Sequence, residues 1–179
     1  MTAPIRVLHV DDEPDVADLT ATFLAREADV ITVETTTSAD EALERIGEGT
    51  VDCVVSDYEM PGTDGIELLE AVREAHPELP FILFTGRGSE AVASDAISAG
   101  VTDYLRKSSD TEQYELLANR IRNAVARTRA EQARTRPPPA IDTTRQGITT
   151  LDPAPQSTYV TEPHADLSAH HPDPPPGPP

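Results

Sequence analysis

Short apolar, β-branched runs alternate with amphipathic stretches over residues 1 to about 127. The runs fall at 5–10, 30–35, 51–56, 80–84 and 101–105, each of strand length and flanked by polar or turn-forming residues. Between them, apolar residues recur at helical spacing at about 14–28, 39–48, 64–75 and 89–99, and a last helix begins near Asp110. In the third of these, Ile66, Leu69 and Val72 form a stripe that Glu67, Glu70 and Glu74 leave clear. Thr63-Asp64 supplies an N-cap and Pro77 a stop, and Ser38 ahead of Asp40 and Glu41 marks a comparable start. Strand-helix alternation of this kind predicts right-handed crossovers and a parallel sheet covered on both faces. The expected fold class is α/β, a three-layer sandwich of five strands and five helices.

From about residue 137 the physics changes. Twelve of the last 43 residues are proline, and apolar residues are scattered. Such a composition cannot bury enough apolar surface to offset chain ordering, so 137–179 is expected to be a disordered Pro-rich tail, a spacer or docking strip. His164, His170 and His171 in it lack the fixed geometry that a metal site needs. Nothing after 136 is expected to fold as a helix-turn-helix or an enzyme. Between the two regions, six arginines (120, 122, 127, 129, 134 and 136) mark the last helix, while Leu117, Ile121 and Val125 give it one apolar face. Beyond Val125 the stripe fades, so 128–136 is expected to be a basic extension of that helix, past a domain spanning 1–127.

Charge narrows the function classes. The chain carries 32 acidic and 14 basic residues, a net charge of -18. That field opposes binding to DNA or anionic membranes, and it resembles the composition of salt-adapted proteins, where screening makes such charge tolerable. No apolar run is long enough to span a bilayer, and the N-terminus has no signal-peptide pattern. A single Cys53, in an apolar strand, forms no intramolecular disulfide, so a cytoplasmic location is expected.

Candidate chemistry gathers where the strands end. Asp11-Asp12 follows Ile5–Val10, Asp57 follows 51–56, Thr85 follows 80–84, and Lys107 follows 101–106. Lys107 is the only lysine in the chain. In a parallel α/β sheet the carboxyl ends of the strands line the ligand crevice, so these residues should meet at one edge. An Asp carboxylate there can act as a nucleophile toward phosphorus. Neighbouring carboxylates repel an incoming phosphate, so a divalent ion with hard oxygen ligands, Mg²⁺, is implied. Lys107 would supply a point charge and Thr85 a hydroxyl donor for the phosphoryl oxygens.

Read together, these residues resemble the receiver domain of two-component response regulators. The resemblance rests on Asp11-Asp12-Glu13, on the run from Asp57 through Met60-Pro61 to Gly65, on Phe84-Thr85-Gly86 and on Tyr104-Leu105-Arg106-Lys107, and it covers 5 to about 125. It implies a flavodoxin-like fold with strand order 2-1-3-4-5. It implies that Asp57 is the phosphoacceptor, fed by a histidine kinase. Mg²⁺ would be held by the carboxylates of Asp12 and Asp57, by the main-chain carbonyl of Glu59 and, mainly through water, by Asp11. Lys107 would hold a phosphoryl oxygen, and Thr85 would move toward the phosphoryl group. Tyr104 would then turn inward and alter the face of helix four, strand five and helix five, through which a homodimer is also conceivable. Gly86 would leave room beside the acyl phosphate.

One position departs from the family pattern. Ser108 follows Lys107 where proline is usual, which puts a cis peptide there in doubt. Glu59 and Arg87, each two residues beyond a site residue, are expected to pair across the phosphoryl site and tune water attack. Apart from self-catalysed phosphoryl transfer and dephosphorylation, no enzyme activity is expected, and the signal should leave by protein-protein contact. The alternatives are a phosphorelay intermediate, a phosphorylation-independent adaptor, a DNA-binding regulator using the arginine-rich helix, and an Asp-nucleophile phosphatase of haloacid-dehalogenase type. For the last, Glu59 has the right spacing but its sequence context does not fit.

Overall fold

The computed structural model describes residues 3–86 and 89–135. Among them, five strands alternate with five helices: β1 (Ile5–Val10), α1 (Pro14–Glu27), β2 (Ile31–Thr36), α2 (Ala39–Gly47), β3 (Cys53–Ser56), α3 (Gly65–Ala75), β4 (Phe81–Thr85), α4 (Glu90–Ser98), β5 (Asp103–Arg106) and α5 (Glu112–Thr135). The strands form one parallel sheet in the order β2-β1-β3-β4-β5. The fold class and strand order are those expected from the sequence.

The sheet is apolar on both faces because each face has its own helices to cover it. Ile5 and Val7 of β1, Cys53 and Val55 of β3, and Ile82 and Phe84 of β4 pack with Leu24 of α1 and with Leu117, Ile121 and Val125 of α5. The alternate residues Leu8, Val10, Val54, Phe81 and Leu83 pack instead with α2, α3 and α4, against Ala42, Ile46, Leu68, Leu69, Val72 and Ala96. Each large side chain so buried contributes about 1.5–3 kcal/mol. Because the strand period is two, one central strand supplies both cores at once.

Local signals set the helix starts. Asp64 accepts hydrogen bonds from the Ile66 and Glu67 N–H groups (2.8 and 2.9 Å), and Glu67 accepts from Asp64 N–H (3.0 Å), a reciprocal capping box on α3. Ser38 caps α2 by accepting from Glu41 N–H at 3.2 Å. Strand starts differ from the apolar runs. β5 begins at Asp103 and not at Val101. Val101 N–H closes the end of α4 on Ala96 (3.0 Å), and the Thr102 hydroxyl accepts from Phe81 N–H (2.9 Å). β3 begins at Cys53.

The last helix stays tied to the sheet beyond its apolar stripe. Arg129 donates to the Pro4 carbonyl (2.8 Å) and pairs with Asp52 at 3.1 Å, while Arg120 pairs with Asp103 at 2.9 Å. Two of the six arginines therefore anchor the helix to the amino-terminal edge and to β5. Residues 136–179, including the Pro-rich tail and its histidines, lie outside the described residues, as does Arg87. Among the described residues, no helix is long and apolar enough to cross a membrane.

Candidate functional site

Sheet register places the predicted residues side by side. Val10 is opposite Ser56, so the next residues, Asp11 and Asp57, emerge together, and Asp57 N–H continues the ladder onto the Val10 carbonyl at 2.8 Å. Thr85 is the last residue of β4 and lies opposite Arg106, and Lys107 N–H donates to the Thr85 carbonyl at 2.8 Å. Backbone pairing therefore holds Asp11, Asp57, Thr85 and Lys107 at one edge without help from their side chains.

Gly65 brings the start of α3 against this edge. Its N–H donates to the Tyr58 carbonyl at 2.9 Å. A Cβ there would lie 2.3 Å from the Asp57 carbonyl oxygen and 2.9 Å from Leu83 Cδ2, so only glycine permits the approach.

The side chains converge. One carboxylate oxygen from each of Asp11, Asp12 and Asp57 lies within 4.8 Å of the others. Lys107 Nζ stands 2.7 Å from Asp11 Oδ2 and 3.4 Å from Asp57 Oδ1. The second oxygen of Asp11 accepts from Glu13 N–H at 3.1 Å. Asp57 Oδ1 is buried and accepts no hydrogen bond from the described residues. An open cleft of about 530 Å³, lined by Asp12, Asp57, Glu59, Met60 and Asp64 among others, leads to it. Burial pushes the Asp57 carboxyl up from its ordinary value, and the Asp11 charge adds to this. The Lys107 charge and hydrogen bonds from Tyr58 N–H and the Thr85 hydroxyl pull the other way.

This donor set fits a hard divalent cation. Three carboxylates share the space with one ammonium, and one buried carboxylate oxygen is still without a donor, a surplus of negative charge and lone pairs. The cluster is consistent with the Mg²⁺ site of a receiver domain.

The remaining expected residues are placed as follows. Glu59 lines the cleft; its expected partner Arg87 lies outside the described residues. Gly86 is exposed, and a Cβ on it would come within 3.9 Å of Lys107 Cδ, an ordinary contact. Tyr104 packs against the α2–α4 core, and its hydroxyl is buried without a hydrogen bond among the described residues. Its ring therefore faces inward in this structure. No cis peptide occurs among the described residues, so Lys107–Ser108 is trans.

Two residues near the site escaped sequence reasoning. His9, two residues before Asp11 in β1, is fully buried, and neither ring nitrogen has a partner among the described residues. Burial pushes its pKa down to about 4; the Asp11 charge opposes this and the Lys107 charge adds to it. A histidine between Leu8 and Val10, on an apolar stretch of the strand, was the available signal. Gln113, in the first turn of α5, hydrogen-bonds both backbone groups of Ser108; helical spacing carries no sign of it.

Comparison with known proteins agrees with this geometry. The family described as "Response regulator receiver domain" matches residues 7–119. The chain is 34% identical over 124 residues to a protein-glutamate methylesterase/protein-glutamine glutaminase from Nocardioides, covering 68% of this chain and 34% of that protein. It is 32% identical over 152 residues to the transcriptional regulatory protein TrcR of Mycobacterium tuberculosis, covering 85% of this chain and 55% of TrcR. The chain thus spans only about a third to a half of these relatives' lengths. A receiver domain structure from Clostridium thermocellum superposes with a TM-score of 0.64 at 27% identity, covering 71% of this chain and 98% of the other. With the acidic edge, the parallel 2-1-3-4-5 sheet and the family match over most of the described residues in agreement, the chain belongs to the response regulator receiver domain family.

Proposed function

We propose that this chain is a phosphorylation-activated receiver that accepts a phosphoryl group from a histidine kinase on Asp57 and signals by protein-protein contact. The observation that carries the reading is the convergence of Asp11, Asp12 and Asp57 with Lys107 at one sheet edge, where the buried Asp57 Oδ1 lies 3.4 Å from Lys107 Nζ and accepts no hydrogen bond from the described residues.

In the transfer, an Asp57 carboxylate oxygen forms a bond to phosphorus as the phosphorus–nitrogen bond of the kinase phosphohistidine breaks. The electron pair leaves with the imidazole. Asp11, Asp12, Asp57 and the Glu59 main-chain carbonyl would hold Mg²⁺, which when bound neutralises charge on the phosphoryl oxygens. Lys107 lies close enough to Asp57 to follow a phosphoryl oxygen, and the Thr85 hydroxyl already hydrogen-bonds the Asp57 carboxylate. Both act as fixed donors to developing charge. Glu59, Gly86 and Arg87 lie within two residues of Asp57 or Thr85 in sequence and would set how readily water hydrolyses the acyl phosphate to the free Asp57 carboxylate and inorganic phosphate.

Thr85 and Tyr104 form the switch in this reading. A change at the Thr85 hydroxyl alters the end of β4, which pairs directly with β5. Tyr104, on β5, has an inward ring and a buried hydroxyl, so an outward ring is the alternative packing that phosphorylation would bias against. The exposed Leu116 of α5 and Ile97 of α4 offer apolar contact on those helices for a target protein or a second copy.

The test is incubation of the full chain with Mg²⁺ and acetyl phosphate, beside an Asp57→Asn control, read by intact mass. A phosphoryl adduct absent from the control is expected. An unmodified wild-type mass, with Mg²⁺ binding demonstrated, would replace this reading with that of a phosphorylation-independent adaptor. Transfer of the adduct onward to a histidine-containing protein would make the chain a relay intermediate.

A further inference from the structure

Lys107 reaches Asp11 and Asp57 from a loop, the connection between β5 and α5, and loops hold side chains loosely unless something pins them. On its amino side the loop is pinned by the sheet, where Lys107 N–H donates to the Thr85 carbonyl at 2.8 Å. On its carboxyl side the Ser108 hydroxyl accepts a long hydrogen bond from Asp110 N–H (3.4 Å), and the Ser108 backbone is held by a single side chain. Ser108 N–H donates to Gln113 Oε1 at 2.7 Å, and Gln113 Nε2 donates to the Ser108 carbonyl at 2.7 Å. Both backbone polar groups of Ser108 are thus taken by one amide.

Only a side-chain amide can do this. A carboxylate at 113 accepts from the N–H but cannot donate to the carbonyl, and an apolar side chain does neither. The arrangement also requires an N–H at residue 108, which serine has and proline lacks. Here the departure from proline after Lys107 and the presence of glutamine at 113 belong together.

We propose that Gln113 is a positioning residue for Lys107: by clamping Ser108 through two hydrogen bonds, it holds the ammonium between Asp11 and Asp57. The proposal rests on the receiver reading for its consequence but not for its geometry. A purely local role, as a cap on the first turn of α5, would leave Lys107 where it is when Gln113 is changed.

The chain contains one lysine, so protein labelled with ¹³Cε-lysine gives a single methylene signal, from Lys107. The experiment compares the full-length wild type with Gln113→Ala and Gln113→Glu, without and with Mg²⁺ and beryllofluoride. Gln113 is only half-buried and Ser108 exposed, so both variants should keep native circular dichroism. The expected result is a dispersed signal in the wild type that collapses toward the free-lysine position in Gln113→Ala and lies between the two in Gln113→Glu. Beryllofluoride affinity should fall about 5- to 20-fold in Gln113→Ala, the loss expected for one to two hydrogen bonds. An unmoved lysine signal in folded Gln113→Ala overturns the proposal. Should Gln113→Ala fail to fold, Gln113→Glu with an unmoved signal overturns it equally. If the wild type binds no beryllofluoride while the lysine signal still moves in the variants, the positioning role stands and the phosphoacceptor reading fails.

Discussion

Lys107 Nζ is closer to Asp11 than to Asp57, 2.7 Å against 3.4 Å. Asp11 is only 1% exposed, whereas Lys107 keeps 21% of its side chain in contact with solvent. The ammonium is therefore the main partner of the most buried carboxylate in the site. Removing it leaves a buried charge without compensation, which costs more than the pair contributes. Lys107→Ala is expected to destabilise the Mg²⁺-free protein by about 1–3 kcal/mol. Added Mg²⁺ should recover part of this, because a cation at the triad again compensates Asp11. Thermal melts of both proteins with and without Mg²⁺ check it; equal melting temperatures without the ion would count against the pairing.

Asp57 carries the opposite liability. Its folded pKa lies above the ordinary carboxylate value, chiefly because of burial. For a carboxyl raised in this way the folded state binds the proton more tightly than the unfolded one. Stability then falls as pH rises from the unfolded toward the folded pKa, and the loss persists at neutral pH. Asp57→Asn removes the desolvated charge and is expected to raise the melting temperature of the Mg²⁺-free protein near pH 7. The same substitution should weaken stabilisation by millimolar Mg²⁺, since a ligand stabilises by its affinity for the folded state. A melting temperature that drops in Asp57→Asn would contradict the assignment of a destabilising charge.

His9 sets an acid limit. Its pKa is depressed to about 4, from an ordinary value of 6.5. The unfolded chain therefore takes up a proton first as pH falls. Stability from the neutral ring is complete above 6.5 and is lost as pH falls toward 4, by at most about 3 kcal/mol. Asp57 works in the other direction as pH falls through its raised pKa, so the difference from a His9→Leu variant is the clean readout. Denaturant melts from pH 7.5 to 4 should show the wild type losing stability faster than the variant; parallel curves would mean that His9 is solvated or paired.

Gly65 is expected to be intolerant of any side chain. A Cβ at 2.3 Å from the Asp57 carbonyl oxygen forces the start of α3 away from β3. Gly65→Ala should cost about 1–3 kcal/mol by overpacking, despite alanine's better helix propensity. It should also lower Mg²⁺ affinity, because the displaced backbone is that of a triad residue. Gly47, with open space around its Cβ position, is the comparison: Gly47→Ala should be neutral or stabilising by urea melts.

Much of this protein follows from sequence alone. The period-two runs and helical stripes are enough for a parallel α/β sandwich, because each central strand must be apolar on both faces to be covered by helices on both. Asp11, Asp12, Asp57, Thr85 and Lys107 are legible as one site because strand ends in such a sheet share an edge. The resemblance implies the strand order, and the β2-β1-β3-β4-β5 sheet bears it out.

Tertiary structure alone decided the finer matters, which depend on how groups are placed in space and not on any local pattern. Lys107 divides itself between Asp11, 96 residues away, and Asp57, and no spacing rule encodes which is nearer. His9 becomes a depressed base only because both sheet faces are closed around it. Gly65 is obligatory because of the Asp57 carbonyl oxygen just past β3, an approach that its own local sequence does not reveal. The Ser108 backbone is clamped by a glutamine whose helical position looks like any half-exposed surface site. Local chemistry selects elements over a few residues; distances of a few tenths of an ångström among charges arise only once the sheet has fixed where each strand ends.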